Sequence, residues 1–242
     1  MLRPILDGMY LDEIDKATVR RVVARARTNA TRRRDLTAMS VVMDFAAEHS
    51  MCARNVVVDY DRRRIRETRL PPVLPTDTEV DRFADACPQM LGWLVRLLEH
   101  TGMRLEEAAT LTWRQVDMPR RAIMLERTKN QQARSIEIND AAAAVLRAVT
   151  RHTMSPWVFW HGQESPKPYG KASQRLAGIR KANGIGWPTH MLRHLYAIRE
   201  LRAGRSLYRI KAQLGHSSIA VTEIYLAHLT PEEAERARAV SG

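Results

Sequence analysis

The chain has 242 residues, 45% of them hydrophobic, with Lys plus Arg at 39 against Asp plus Glu at 27. That is enough apolar material for one large domain or two small ones, and it excludes a disordered chain. The net charge of +12 and isoelectric point near 10.4 favour a polyanionic partner, either nucleic acid or an anionic membrane. No apolar run approaches the roughly 20 residues of a membrane helix. The best candidate, AAAAVLRAV, is short and contains Arg147. The start, MLRPILDGMY, lacks an apolar h-region and carries Asp7, so no signal peptide is expected. Cys52 and Cys87 stand far apart in apolar contexts and read as free thiols of a reducing cytoplasm, not a disulfide or metal site. Nucleic acid is left as the leading partner.

In chain order, DKATVRRVVARAR places Val19, Val22, Val23 and Ala26 on one helical face with arginines opposite. NATRRRDLTAMSVVMDFAAEH predicts a second helix, capped by Asn29 or Thr31, with an apolar stripe of Leu36, Met39, Val42, Met43 and Ala46. Residues 1–70 hold 15 Lys/Arg and 10 Asp/Glu, a net of +5, which suits a solvated face or a face laid on a DNA backbone. RLPPVLPTD cannot continue a helix and marks a boundary between units at about 1–72 and 75–242.

The larger unit begins with a helix capped by Thr76 or Thr78. A strongly apolar helix, QMLGWLVRLLEHTGM, and a further one over RLEEAATLTWRQVD follow. RAIMLER and ARSIEIN alternate apolar and polar residues around TKNQQ, the pattern of a β-hairpin. Residues 141–150 read as helical, WVFW as extended, and the remainder as helices over 171–183, 189–203 and 207–213, then a short one around Tyr225. Thr230, Pro231 and Glu233 form a capping box with proline at the first helical position. The fold class is mainly α, with one small antiparallel sheet.

Several polar residues suit phosphoryl transfer at a DNA backbone, which needs a nucleophile, stabilisation of added negative charge, and a proton for the leaving oxygen. Arg104 follows a Gly-Met turn and opens a helix, with Glu107 three residues on to fix it. Alone, it reads as a surface ion pair. His190 and Arg193 share the first turn of one helix. His194 points elsewhere on that helix and reads as structural. Lys129 sits at the hairpin tip, where a flexible ammonium is solvated or reaches a leaving oxygen. His216 lies in LGHSS, nine residues before Tyr225. Tyr225 is either a packed aromatic or a nucleophile whose pKa, ordinarily about 10, needs positive neighbours. His228 is its local partner.

Together TGMRLEEA, TKN, HMLRH, LGHSS and TEIYLAH resemble the tyrosine recombinase, or phage integrase, family, across residues 75–242. The resemblance implies the DNA breaking-rejoining fold, preceded by a helical SAM-like core-binding domain that is shortened here to about two good helices. It implies Tyr225 as nucleophile forming a 3′-phosphotyrosine and freeing a 5′-hydroxyl. Arg104 and Arg193 then clamp the scissile phosphate, and His190 assists proton transfer. His216 hydrogen-bonds a non-bridging oxygen, and Lys129 is general acid. No metal, ATP or other cofactor is implied. The implied partner is double-stranded DNA, bound by a homo-tetramer on paired sites, and the resemblance allows a monomer when no DNA is present. In such a tetramer TPEEAERARAV would pass to a neighbouring subunit. Leu195 departs from the Thr or Ser common at that position.

Three other readings compete: a type IB topoisomerase-like activity, a decayed prophage DNA-binding protein, and a metal-dependent nuclease, for which clustered carboxylates are lacking. The enzyme reading requires the six side chains to converge on one phosphorus with the phenolic oxygen in line.

Overall fold

The computed structural model describes residues 3–65, 73–126, 133–162, 164 and 166–241. The chain divides into two compact units, Met1–Leu70 and Pro71–Gly242.

The first unit is helical: α1 (Arg3–Leu6), α2 (Lys16–Arg25) and α3 (Asn29–Glu48), with short 3-10 turns before and after them. Asp15 caps α2 by accepting from the Thr18 amide. Thr28, rather than Asn29 or Thr31, caps α3, because its hydroxyl sits one residue before the helix and accepts from the Thr31 amide. The core gathers Val19, Val22 and Val23 of α2 against Leu36, Met39 and Met43 of α3. Val42 is not part of it. It is 52% exposed beside Val41 and Phe45, because 39, 43 and 46 occupy the buried arc of a 3.6-residue period and 42 falls just outside.

In the second unit, Thr76 caps α4 (Asp77–Asp85) in a reciprocal capping box with Glu79. The apolar helix α5 (Gln89–Thr101) runs through the middle of the core and is closed by Gly102 at φ +64°. A Cβ at Gly102 would also meet Tyr196 at 2.6 Å, so the turn admits only glycine. α6 is shorter than its sequence predicts, Leu105–Ala109, and the chain then enters a 3-10 turn, Trp113–Gln115, and strand β1 (Val116–Asp117). The helical pattern stops because the Thr112 amide and hydroxyl are taken by the Gln115 side chain.

Strands β2 (Ala122–Leu125) and β3 (Arg134–Glu137) form the expected antiparallel pair, with Ile123 opposite Ile136, both fully buried. β1 extends the sheet to three strands. The TKN segment joining β2 and β3 lies outside the described residues. α7 (Asp140–Ala148) follows, capped by Asn139. A second antiparallel pair, β4 (Trp160–His161) with β5 (Lys167–Pro168), adds a sheet where one was expected. Its strands are two residues long, too short for any alternation to be read.

The rest is helical: α8 (Ala172–Ala182), α9 (Met191–Arg202), α10 (Leu207–Leu214), α11 (Ala220–Glu223), a 3-10 turn over Ile224–His228, and α12 (Pro231–Ala239). α12 packs in cis, with Ala237 in the same core cluster as Ile198 and Leu201 of α9, and the Ser241 hydroxyl accepts from the Leu207 amide at 2.8 Å. Among the described residues no helix is long and apolar enough to cross a membrane.

A candidate phosphate site between three turns

Three turns meet at one end of α5. Arg104 is the N-cap of α6, and its backbone N–H donates to Glu107 Oε2 at 2.9 Å. Its guanidinium donates through Nη1 to Glu107 Oε1 at 3.1 Å and through Nη2 to the Gly215 carbonyl at 2.9 Å. The Arg104 side chain remains 35% exposed. The local pairing with Glu107 expected from the sequence is therefore present, and a long-range bond is added to it.

Arg193, in the first turn of α9, donates through Nη1 to the Gly102 carbonyl at 2.7 Å and through Nη2 to the Leu214 carbonyl at 2.6 Å. Both guanidiniums thus hold the carbonyls of the 214–215 turn that opens LGHSS. Those carbonyls exist as free acceptors because α10 ends there, with Gly215 at φ +67°. Burial, and secondarily the Arg104 charge, bring the Arg193 pKa down to about 10, which leaves it cationic at neutral pH.

His216 follows directly, its Nδ1 hydrogen-bonded to the buried Thr222 hydroxyl at 2.9 Å. Its ring stacks on Tyr225, centroids 6.1 Å apart. Burial first, and then Arg193 and Arg104, push the His216 pKa down to about 4, so the imidazole is neutral at pH 7. His190 is the N-cap of α9; the residue is exposed overall, and partial desolvation of its ring, with a contribution from Arg180, lowers its pKa.

His194 lies between His190 and Tyr225, with centroids 5.7 Å and 5.3 Å from them, instead of pointing elsewhere. One helical turn separates 190 from 194, which brings the two rings edge to face on one side of the helix. Its Nδ1 is buried without a hydrogen-bond partner, and burial brings its pKa to about 4. His228 contributes its carbonyl to Arg202 at 3.4 Å.

Tyr225 is only 2% exposed. Burial raises its pKa, and Arg193 opposes that rise. The phenol is therefore packed and also adjacent to the positive groups; both sequence readings describe part of its surroundings. Five of the six candidate residues, Arg104, His190, Arg193, His216 and Tyr225, lie around this locale. Lys129 lies outside the described residues. A pocket of about 370 Å³ opens beside them, lined among others by Arg104, Arg180, Thr189, His190 and Arg193.

Sequence reasoning missed Arg134. It sits at the start of β3, its side chain 10% exposed, and pairs with Glu107 Oε2 at 2.6 Å. An alternating strand pattern marks which face a residue takes but not which loop it reaches.

The Phage integrase family model matches residues 76–232. The chain belongs to the phage integrase family. It is 29% identical to the integrase of Salmonella phage P22 over 178 residues, 67% of this chain and 45% of that protein. It is 25% identical to tyrosine recombinase XerA of Saccharolobus solfataricus over 158 residues, 65% of this chain and 52% of that one. The chain spans about half the length of these curated relatives.

Among solved structures, the Tn1549 transposon integrase in complex with a circular intermediate DNA superposes on this integrase-family chain with a TM-score of 0.73 at 20% identity, covering 98% of this chain and 90% of that one. A lambda integrase dimer bound to a COC′ core site superposes with a TM-score of 0.73 at 18% identity, covering 93% and 83%. The likeness establishes the mostly helical fold with small antiparallel sheets.

Proposed function

We propose that this chain is a site-specific DNA recombinase that cuts and rejoins DNA through a covalent 3′-phosphotyrosine at Tyr225. The phenolic oxygen attacks the scissile phosphorus. The new O–P bond forms as the bond from phosphorus to the 5′ oxygen breaks. The phenolic proton leaves with the help of His190, and Lys129 supplies the proton that makes the departing oxygen a 5′-hydroxyl. Arg104 and Arg193 stabilise the charge on the non-bridging oxygens, and His216 donates a hydrogen bond to one of them. A phosphodiester is exchanged for another phosphodiester, so bond energy is kept for the reverse attack by a 5′-hydroxyl of another strand. That exchange requires no ATP, and the two guanidiniums supply the positive charge that a metal ion would otherwise bring.

The observation that carries this reading is the shared anchorage of Arg104 and Arg193 on adjacent carbonyls, at Gly215 and Leu214, immediately before His216 and its stacked Tyr225. Two guanidiniums held close in spite of mutual repulsion suit a dianionic transition state. In attack, the segment between His216 and Thr230 must shift to bring the phenolic oxygen out to phosphate. That segment is built from a four-residue helix and a 3-10 turn, elements with little hydrogen-bonded structure to lose. Assembly into a tetramer on two paired sites would in addition transfer α12 from its own α9 to a neighbouring subunit.

A second reading, a DNA-binding protein without catalysis, is favoured by the 2% exposure of Tyr225. One experiment separates the two. The protein selects duplexes from a randomised DNA pool, and nicked versions tiled through the selected sequence are incubated with it. Cleavage near a nick releases a short 5′-hydroxyl oligonucleotide and strands the covalent intermediate. An SDS-stable protein–DNA adduct that disappears in Tyr225→Phe is the expected result. Tight binding with no adduct would establish the binder instead.

A further inference from the structure

Arg134 takes no part in the proposed chemistry, yet its side chain binds both supports of the two arginines that do, Glu107 and the 213–215 turn. Its Nη2 donates to Glu107 Oε2 at 2.6 Å, and its Nε donates to the Gln213 carbonyl at 3.3 Å. The same Glu107 carboxylate takes the Arg104 backbone N–H on Oε2 and the Arg104 guanidinium on Oε1. With Oε2 shared between Arg134 and the Arg104 amide, the carboxylate plane is set and Oε1 is turned to the Arg104 side chain.

The second contact fixes the other wall. Gln213, Leu214 and Gly215 supply three successive carbonyls to Arg134, Arg193 and Arg104 respectively. The Gln213 side chain binds β3 through both backbone polar groups of Glu137, accepting from its N–H at 2.8 Å and donating to its carbonyl at 3.2 Å. Strand β3 and the 213–215 turn are therefore joined at two points, and Arg134 is the point next to the clamp. The fit is tight: a Cβ on Gly215 would lie 2.8 Å from Arg134 Nε.

We propose that Arg134 is a positioning residue for DNA cleavage, holding Glu107 against Arg104 and pinning the 213–215 turn that both clamp arginines grip. This rests on the proposed recombinase function and extends it to a residue outside the six. Its effect falls on the rate of the chemical step, because a displacement of about 1 Å in a group that meets the transition state costs on the order of 100-fold. DNA affinity, spread over many backbone contacts, stays nearly constant.

A pH signature separates positioning from mere packing. Glu107 is faced by Arg104 from α6, Arg134 from β3 and Arg193 from α9. Burial works to raise its pKa, and the Arg134 hydrogen bond leads the interactions that bring the balance below the ordinary carboxylate value. Without Arg134 the burial remains and its strongest counterweight is gone, so Glu107 takes up a proton at higher pH and releases Arg104.

The test compares the parent chain with Arg134→Met and Arg134→Lys on the nicked duplexes selected by the parent, reading adduct formation rate, DNA dissociation constant, thermal midpoint and the pH profile of cleavage. The expected result is a parent that forms the Tyr225-dependent adduct, an Arg134→Met protein 10- to 100-fold slower with its dissociation constant within about 3-fold, and an acid limb displaced to higher pH. Arg134→Lys should recover part of the rate, since an ammonium serves Glu107 but cannot fork to both partners. Parent-like rates and profiles in both variants would overturn the inference while leaving the recombinase reading intact. Loss of cooperative unfolding in both would overturn it too, by making Arg134 a fold residue. A parent without adduct would remove the recombinase reading and this inference together.

Discussion

Arg104 donates to the carbonyl oxygen of Gly215 at 2.9 Å across 111 positions of sequence. The bond joins the N-terminus of one helix to the C-terminal turn of another, so the position of the Arg104 guanidinium depends on a glycine far from it in sequence. Gly215 sits at φ +67°, and an added Cβ would meet the Arg134 guanidinium at 2.8–2.9 Å. Gly215→Ala should cost about 1–3 kcal/mol of stability from the left-handed backbone and the displaced arginine. Cleavage should fall further than stability predicts. Denaturant unfolding together with adduct formation measures both, and an alanine protein indistinguishable from the parent would contradict this account of the turn.

Glu107 is the shared acceptor of Arg104 and Arg134. Glu107→Gln keeps the shape and removes the charge, leaving two guanidiniums facing one neutral amide. A loss of about 1.5–3 kcal/mol is expected for hydrogen bonds to a charged group weakened in a half-buried site. Cleavage should drop on the order of 10- to 100-fold. Gel-shift affinity should change little, and a matching loss of DNA affinity would point to a binding role instead.

His194 and His216 are both held neutral by burial, with pKa values near 4 against about 6.5 in an unfolded chain. Between those values the unfolded state binds more protons than the folded one, so stability rises with pH there. The second unit should hold full stability above about pH 6.5 and lose it progressively down to about pH 4. His194→Gln should flatten part of that slope. Thermal midpoints recorded at half-unit pH steps provide the check, and a midpoint constant from pH 7 to 4 would remove the burial argument.

Thr28, and not Asn29, accepts the Thr31 amide at the start of α3. Thr28→Ala should therefore destabilise the first unit by about 1 kcal/mol, the usual cost of a lost N-cap. Hydrogen exchange at the α3 amides reads this directly. An unchanged opening free energy there would refute the cap assignment.

What sequence alone determined was whatever is enforced between near neighbours. The Thr230–Glu233 capping box and the Arg104–Glu107 pair act across three residues, within one helical turn, so their spacing is visible in the chain itself. The paired strands β2 and β3 and the buried helix α5 announce themselves by alternation and by a long apolar run. These patterns, with the quoted motifs, sufficed for the fold class and the family.

Tertiary structure decided the rest. It turned Val42 outward while Met43 went in, and it cut α6 short. It laid α12 on its own body and closed Tyr225 between His194 and His216. Above all it sent Arg134 to a carbonyl 79 positions away. A side-chain bond over such a separation leaves no periodic trace, because its partners are brought together by the packing of whole elements and not by the backbone geometry between them.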